Sequence, residues 1–270
     1  MTRRLAIVAF ALSVAPALAQ PALLTNAQVR TLPAGTLGRT VEQQVAGITD
    51  VGWIAYQVPL VAGDHMMCDW SNDSRRAPAT TVKLEGGDTL FVFLRVEQRA
   101  LTKVRMFSEG CTIDAGGVPV IWLEGAQPAQ SVSLLASFMD SSRPRRVVDG
   151  ALGALAMHAD ASASAALVAA AKNGASGQVR GQALFWVAQR AGSQAIPTIS
   201  EAIDRDPDTD VKKRAVFALS QLPANEGVPK LIEVASSHSN PAVRKQAMFW
   251  LGQSKDPRAL AFFERILFAK

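Results

Sequence analysis

Residues 179–183, 211–215 and 243–247 read VRGQA, VKKRA and VRKQA, three copies of one pentapeptide at intervals of 32 residues. A weaker copy, VVDGA, occupies residues 147–151, so the period runs through residues 147–270 without a break. In each copy the valine, the alanine four positions later and apolar residues five and eight positions later lie on one side of a helix. Each copy therefore predicts an amphipathic helix.

A second helix is predicted in every unit, because one later register position is always apolar and prolines stand near two of the helix starts. The residues concerned are Leu167, Ile199, Leu231 and Phe263, with Pro197 and Pro229. A unit of about 32 residues cannot bury its own apolar side, so neighbouring units must stack. The sequence predicts an α-solenoid of four helix pairs, at residues 147–178, 179–210, 211–242 and 243–270.

Polar turns precede the pentapeptides, for example Asp206-Pro-Asp208 and Ser239-Asn-Pro241. With these turns the units resemble HEAT repeats of the short bacterial type and are similar to the repeats of phycobilisome-lyase-like proteins. The resemblance covers residues 147–270 and is weakest in the first unit, where Val148 replaces the basic residue. It implies a surface for protein interaction, although some proteins with such repeats are enzymes, and a likeness of fold does not choose between the two.

The N-terminus has the three parts of a cleavable signal peptide. Arg3 and Arg4 precede an apolar run at residues 5–18, and Ala17-Leu-Ala19 supplies a cleavage site of the small-x-small type. The run is shorter than the roughly 20 residues that a membrane-spanning helix needs, and no later stretch predicts a transmembrane anchor. We expect residues 1–19 to be removed and the mature protein to be exported to the periplasm.

Residues 20–140 predict a small antiparallel β domain, which makes the chain a two-domain α+β protein. Short runs rich in Val, Ile, Phe, Trp and Thr mark the strands, and they cover residues 51–60, 81–85, 89–97, 101–107 and 118–123. Glu85-Gly-Gly-Asp88 predicts a tight hairpin between the second and third runs, because glycine accepts the positive φ of such turns. A helix is predicted at residues 131–139, and the polar segment 141–146 is the predicted linker to the repeats.

Cys68 and Cys111 are the two cysteines of the chain. In an exported protein they are expected to form a disulfide, joining the loop after the first strand to the end of the fourth. The alternative is a soft metal site, since His65, Met66 and Met67 next to Cys68 carry donors that suit Cu(I). Four contiguous residues cannot easily aim every side chain at one ion, so the disulfide is favoured and no metal is expected.

Short motifs of enzymes are absent from the sequence. It contains no G-x-S-x-G turn, phosphate loop, dinucleotide fingerprint or zinc spacing. The resemblance adds that di-iron hydroxylases with such repeats take their ligands from His-Glu dipeptides, and none occurs here. We expect no cofactor and a non-catalytic protein. The alternative is a lyase- or chaperone-like enzyme with a site between the two domains.

Three groups of residues are candidates for binding a partner. Two are in-register ladders, Arg180, Lys212 and Arg244, and Gln189, Gln221 and Gln253; the third is Phe262 and Phe268 in the last helix. That helix is predicted to dock a partner, a second copy or the β domain. As alternatives, the basic residues pair with acids or turn carbonyls of neighbouring repeats, and the glutamines cap the first helices. The in-register pairs Phe185-Trp186 and Phe249-Trp250 favour a role in the core.

Positive charge is concentrated in the repeats. Residues 146–270 carry 15 Lys and Arg against 11 Asp and Glu, whereas residues 20–145 carry 11 against 12. Because the excess is small, it favours a solvated helix face over a nucleic-acid site, with acidic polymers as an alternative partner. The predicted function is an exported protein-interaction scaffold whose partner is a protein that the sequence does not identify.

Overall fold

The computed structural model describes residues 23–63, 68, 87–140 and 142–268. The predicted signal peptide at residues 1–19, His65 and the predicted strand at residues 81–85 lie outside these ranges. Within them, a region containing β-sheet precedes a series of helices, which confirms the predicted α+β fold class. None of the described helices is long and apolar enough to cross a membrane.

The N-terminal region contains β1 (Leu24–Thr25), β2 (Gln28–Pro33), α1 (Leu37–Gly47), β3 (Val51–Pro59), β4 (Thr89–Glu97), β5 (Ala100–Ser108), β6 (Ile113–Asp114), β7 (Pro119–Glu124) and α2 (Pro128–Ser137). The repeat region contains α3 (Arg145–Met157), α4 (Ala161–Asn173), α5 (Gly177–Ala191), α6 (Ile196–Arg205), α7 (Thr209–Ser220), α8 (Ala224–Ser237), α9 (Pro241–Gln253) and α10 (Pro257–Phe268).

The main sheet has the strand order β2-β7-β3-β4-β5. Strands β3, β4 and β5 pair in antiparallel fashion, as predicted, whereas β7 pairs in parallel with both β2 and β3. Parallel strands need a crossover connection, and α1 provides it between β2 and β3. The sequence predicted neither β2 nor α1, because β2 alternates weakly and α1 buries only Leu37 and Val41.

The hairpin predicted at residues 85–88 and the strand predicted before it lie largely outside the described residues, so the hairpin stays a prediction. Within the described residues, strand β4 pairs with β3 along one edge and with β5 along the other, from Thr89 to Glu97.

Both faces of strand β4, which has a neighbouring strand on each side, are buried. Leu90, Val92 and Leu94 point into the core shared with the helices, whereas Phe91 and Phe93 point to the opposite face. Burial on two sides explains why this strand is a continuous apolar run rather than an alternating pattern. The aromatic face also holds Cys111, which is bonded to Cys68, with their Cα atoms 5.1 Å apart. The predicted disulfide is confirmed.

The first helices of the four units begin at residues 145, 177, 209 and 241, again at intervals of 32 residues. The alanines of the four pentapeptides are all fully buried. Successive first helices pack side by side more extensively than successive second helices do. The more closely packed layer is formed by α3, α5, α7 and α9, and we call it the inner helix layer.

The sheet and the repeats share one continuous core. Helix α3 packs directly on β5, and the approach is so close that a Cβ atom at Gly150 would overlap the carbonyl oxygen of Val104. The end of β3 also bonds to the end of α3, since Val61 N donates to Met157 O at 2.8 Å and Ala159 N donates to Pro59 O at 3.0 Å. The first repeat is thus joined to the sheet by packing and by backbone hydrogen bonds.

Substitution of Gly150 by Ala tests this close approach. We expect Gly150→Ala to lower the free energy of unfolding by about 1–3 kcal/mol, because overpacking forces α3 away from β5. The matched control is Gly252→Ala in α9, where an added Cβ meets nothing within 4 Å. There the better helix propensity of alanine should leave the protein equally stable or more stable by up to about 1 kcal/mol. Urea denaturation measures both, and equal effects would contradict the packing.

His158 lies at this junction and is fully buried. Its Nδ1 accepts a hydrogen bond from Asp160 N at 3.1 Å, and its Nε2 has no partner among the described residues. Burial lowers the pKa of His158 from 6.5 to about 4, against the attraction of Asp160 and with a further contribution from Arg190. The neutral ring is therefore the form that the fold accepts.

The free energy of unfolding should depend on pH through His158. Because its pKa is lower in the folded chain than in the unfolded chain, stability is fully present above pH 6.5 and falls as the pH drops towards 4. The loss should approach about 3 kcal/mol. Urea denaturation at pH 7 and pH 4.5 measures it. His158→Asn keeps an acceptor for Asp160 N and should lose less stability over this range; an unchanged dependence would contradict the assignment.

Candidate interaction surface

The basic ladder is engaged inside the protein. Arg180 donates from Nε and Nη2 to the two carboxylate oxygens of Asp206, at 2.7 and 3.0 Å, and from Nη1 to Gly174 O at 3.0 Å. The side chains of Arg180 and Asp206 are 15% and 6% exposed. Burial raises the pKa of Asp206, but the hydrogen bonds from Arg180 and from Asp208 N outweigh it and hold the pKa below its usual range.

The other two ladder residues bind backbone carbonyls. Lys212 Nζ donates to Ile203 O at 2.8 Å and to Asp204 O at 2.6 Å. Arg244 Nη1 donates to His238 O at 2.6 Å and to Ser239 O at 3.0 Å. These carbonyls lie at the carboxyl ends of the preceding second helices, where cations are favoured. A partner would have to displace these hydrogen bonds to reach the basic ladder. In this structure the ladder residues therefore stabilise the packing between helices.

The free energy of unfolding should show this structural role of Arg180. We expect Arg180→Met to lower it by about 3 kcal/mol, because the buried Asp206 loses its charged partner. The matched control is Lys213→Met, since Lys213 pairs with the exposed Asp210 at 2.7 Å. An exposed pair of this kind should contribute less than about 0.5 kcal/mol. Thermal and urea denaturation measure both variants, and a neutral Arg180→Met would return this residue to the candidates for partner binding.

The glutamine ladder is presented to solvent. Gln189, Gln221 and Gln253 are all exposed, near the carboxyl ends of α5, α7 and α9. Gln221 is the C-cap residue of α7, and its side chain donates to Ser220 Oγ at 3.1 Å. The three carboxamides therefore lie along one edge of the inner helix layer.

The two aromatic residues predicted to dock a partner occupy different environments. Phe262 is 3% exposed and belongs to the core, next to Phe263 at 5.4 Å between ring centroids. Phe268, at the end of α10, is 80% exposed. Of this predicted pair, only Phe268 is accessible to a partner. Leu260 and Leu267 of the same helix are also exposed, at 63% and 74%.

A row of aromatic rings crosses the inner helix layer, and it was not among the predicted binding residues. The rings of Phe185 and Phe217 are parallel with centroids 5.9 Å apart, and Trp250 follows at 4.9 Å from Phe217. Phe249, beside Trp250, is 53% exposed, whereas the other three are half-buried. We call Phe185, Phe217, Phe249 and Trp250 the aromatic row.

The sequence does contain a signal for this row. Phe185, Phe217 and Phe249 occupy the same position in three successive units, 32 residues apart. The Phe-Trp pair occurs in only two of these three units, because Ala218 follows Phe217 where the other two have tryptophan. The glutamine of each unit stands four residues after its phenylalanine, which places both on the same side of the helix. The aromatic row and the glutamine ladder therefore form one surface.

A pocket of about 210 Å³ lies at the end of the aromatic row, between α7, α8 and α9. Its lining includes Leu219, Val228 and Leu231, which are buried apolar residues, and the exposed Gln221 and Gln253. Trp250 also lines it and connects the pocket to the row. Among the described residues, no cluster of three or more His, Cys, Asp or Glu side chains is arranged to hold a metal ion.

Comparison with known proteins supports the assignment of the repeats. Residues 196–269 match the family model of HEAT repeats, so the C-terminal part of the chain is built from HEAT repeats, as the pentapeptides predicted. No curated protein sequence matches the chain.

Several solved structures resemble it, among them the following two. Human deoxyhypusine hydroxylase in complex with glycerol is 22% identical, with a TM-score of 0.36, over 50% of this chain and 43% of that chain. YibA of Escherichia coli is 25% identical, with a TM-score of 0.36, over 54% of this chain and 55% of that chain. The match thus spans about half the length of these two proteins.

Proposed function

We propose that the protein is an exported interaction scaffold that binds a partner protein along the exposed side of its inner helix layer. The sequence supports export through the signal peptide predicted at residues 1–19. HEAT repeats commonly mediate protein interaction, and their stacked helices hold a long surface in a fixed shape. A scaffold role needs no catalytic group.

The aromatic row is the observation that carries the proposal. Phe249 leaves 53% of its surface in water, although burying such a side chain would stabilise the fold by about 2 kcal/mol. Phe185, Phe217 and Trp250 extend the same surface across three helices. Aromatic residues in a continuous row are typical of the centres of protein interfaces, and the exposed glutamines beside them supply hydrogen-bonding groups for a polar rim.

The alternative, a catalytic site between the sheet and the repeats, has less support than the scaffold proposal. His158, the histidine at that contact, is fully buried against the end of β3. The pocket beside the aromatic row and a second one of about 380 Å³, which includes Lys172 and Arg180, are both lined by other residues. We therefore develop the scaffold proposal alone.

The affinity for the native partner should depend on Phe249. We expect Phe249→Ala to weaken binding at least tenfold, because a central aromatic side chain typically contributes more than about 1.4 kcal/mol. The matched control is Leu260→Ala in α10, which removes a similarly exposed apolar side chain outside the inner helix layer. It should leave the affinity unchanged, and both variants should retain the melting temperature of the parent protein.

The partner is identified by photo-crosslinking in a bacterium that exports the full-length chain. A photoreactive residue at Gln253 should capture it in the periplasm, whereas the same residue at Ser236 on α8 should not. Mass spectrometry of the exported chain that carries the crosslinker should find its N-terminus near Gln20. The dissociation constant is then measured with purified proteins. Retention in the cytoplasm would refute export, and equal affinities of the Phe249→Ala and parent proteins would refute the proposed surface.

A further inference from the structure

We propose that the pocket between α7, α8 and α9 anchors an extended acidic segment of the partner through one apolar side chain. The inference rests on the proposed function and adds to it the chemistry of the bound segment. We call this cavity of about 210 Å³, lined by Leu219, Val228, Leu231, Gln221 and Gln253 with Trp250, the anchor pocket.

The lining of the anchor pocket separates apolar from polar groups. The side chains of Leu219, Val228 and Leu231 are buried, at 1–3% exposure, and form an apolar floor. Gln221 and Gln253 are exposed and carry carboxamides at its edge. A carboxamide both donates and accepts hydrogen bonds, as the backbone of an extended peptide does. The pocket therefore suits an apolar side chain whose own backbone lies between the two glutamines.

The dimensions of the surface favour an extended segment. Phe217 and Arg214 precede Gln221 by four and seven residues on one side of α7, so a segment that leaves the anchor pocket along this helix passes the ring and then the cation. An extended chain, which advances about 3.3 Å per residue, can follow this line. A folded domain could contact the same row, but only a protruding side chain reaches the floor of the pocket.

Charge on this surface favours an acidic segment. Lys245 on α9 is exposed and makes no ion pair or hydrogen bond within the described part of the chain. Arg214 on α7 is also exposed and shares the attraction of Asp210 with Lys213, which bonds to Asp210 at 2.7 Å. Glu226 on α8 is half-buried, with its Oε2 buried. Three cations against two carboxylates leave this surface with a net positive charge, which attracts carboxylates.

The spacing of these groups predicts the spacing in the ligand. Arg214 precedes Gln221 by seven residues on α7, which corresponds to about 10 Å along the helix axis. An extended chain covers this distance in about three residues. We therefore expect an acidic residue about three positions from the apolar residue that fills the anchor pocket.

The ring geometry favours a peptide over a glycan. A sugar binds aromatic side chains by lying on a free ring face, but Phe217 has Phe185 parallel to it on one side and Trp250 against it on the other. Ring edges and the one exposed ring, Phe249, are then the accessible parts of the row. Side chains of a peptide make such contacts without needing an open face.

The test uses fluorescently labelled peptides of about nine residues, long enough to reach from the anchor pocket to Arg214 in either chain direction, with the mature full-length protein and fluorescence polarisation as readout. The probe SDSSLSSDS carries a central leucine and aspartates three positions away. We expect SDSSSSSDS, which lacks the leucine, and SKSSLSSKS, which reverses the charge, each to bind at least tenfold more weakly. Equal binding of the three peptides, or of maltohexaose in their place, would overturn the inference.

Protein variants separate this inference from the proposed function. Ala224→Phe fills the mouth of the anchor pocket from an exposed position and leaves the aromatic row intact. Arg214→Gln with Lys245→Gln removes the two exposed cations of this surface. We expect each of these variants to bind the probe at least tenfold more weakly than the parent protein does, whereas Lys230→Gln on α8 should bind it equally well. If the native partner depends on Phe249 but neither on the pocket nor on the cations, the inference fails and the scaffold proposal stands. If Phe249→Ala also has no effect, both fail.

Discussion

A pair of helices of about 32 residues cannot bury its own apolar side, and the rest of the structure depends on this constraint. Each unit therefore needs a neighbour. For the inner units the neighbour is another unit, but the first has none before it. It is covered by the sheet, with Gly150 of α3 set against the backbone of Val104 in β5. One core consequently runs through both regions, although the polar segment at residues 141–146 suggests a boundary.

The same constraint decides which repeated residues are free to bind. Arg180, Lys212 and Arg244 recur because each of the last three units follows the carboxyl end of a preceding second helix, and the three side chains bind carbonyl groups there. Regular recurrence of a polar residue thus indicates a recurring contact within the protein at least as readily as a binding ladder. Gln189, Gln221 and Gln253 recur without such a contact to a neighbouring unit and remain exposed.

The aromatic row shows the intermediate case. Phe185 and Phe217 are each partly covered by the ring of the following unit, whereas Phe249 is not covered in this way. Phe249 is therefore the exposed member of the row. A stack of rings with one accessible member, beside amides and exposed cations, is a surface that a partner can extend. This exposed ring connects the packing of the repeats to the binding role that we propose.

The sequence alone determined the helical repeats, their register and the disulfide, because a 32-residue period fixes the helix pairs and two cysteines allow only one intramolecular pairing. It also located four of the strands through their apolar runs. Only the tertiary structure decided that β7 inserts between β2 and β3 and that Phe262 is buried while Phe268 is exposed. It also decided that the residues of the basic ladder are hydrogen-bonded at helix ends. These outcomes depend on which surfaces meet across long sequence separations, and the local pattern of a single segment carries no record of its partner.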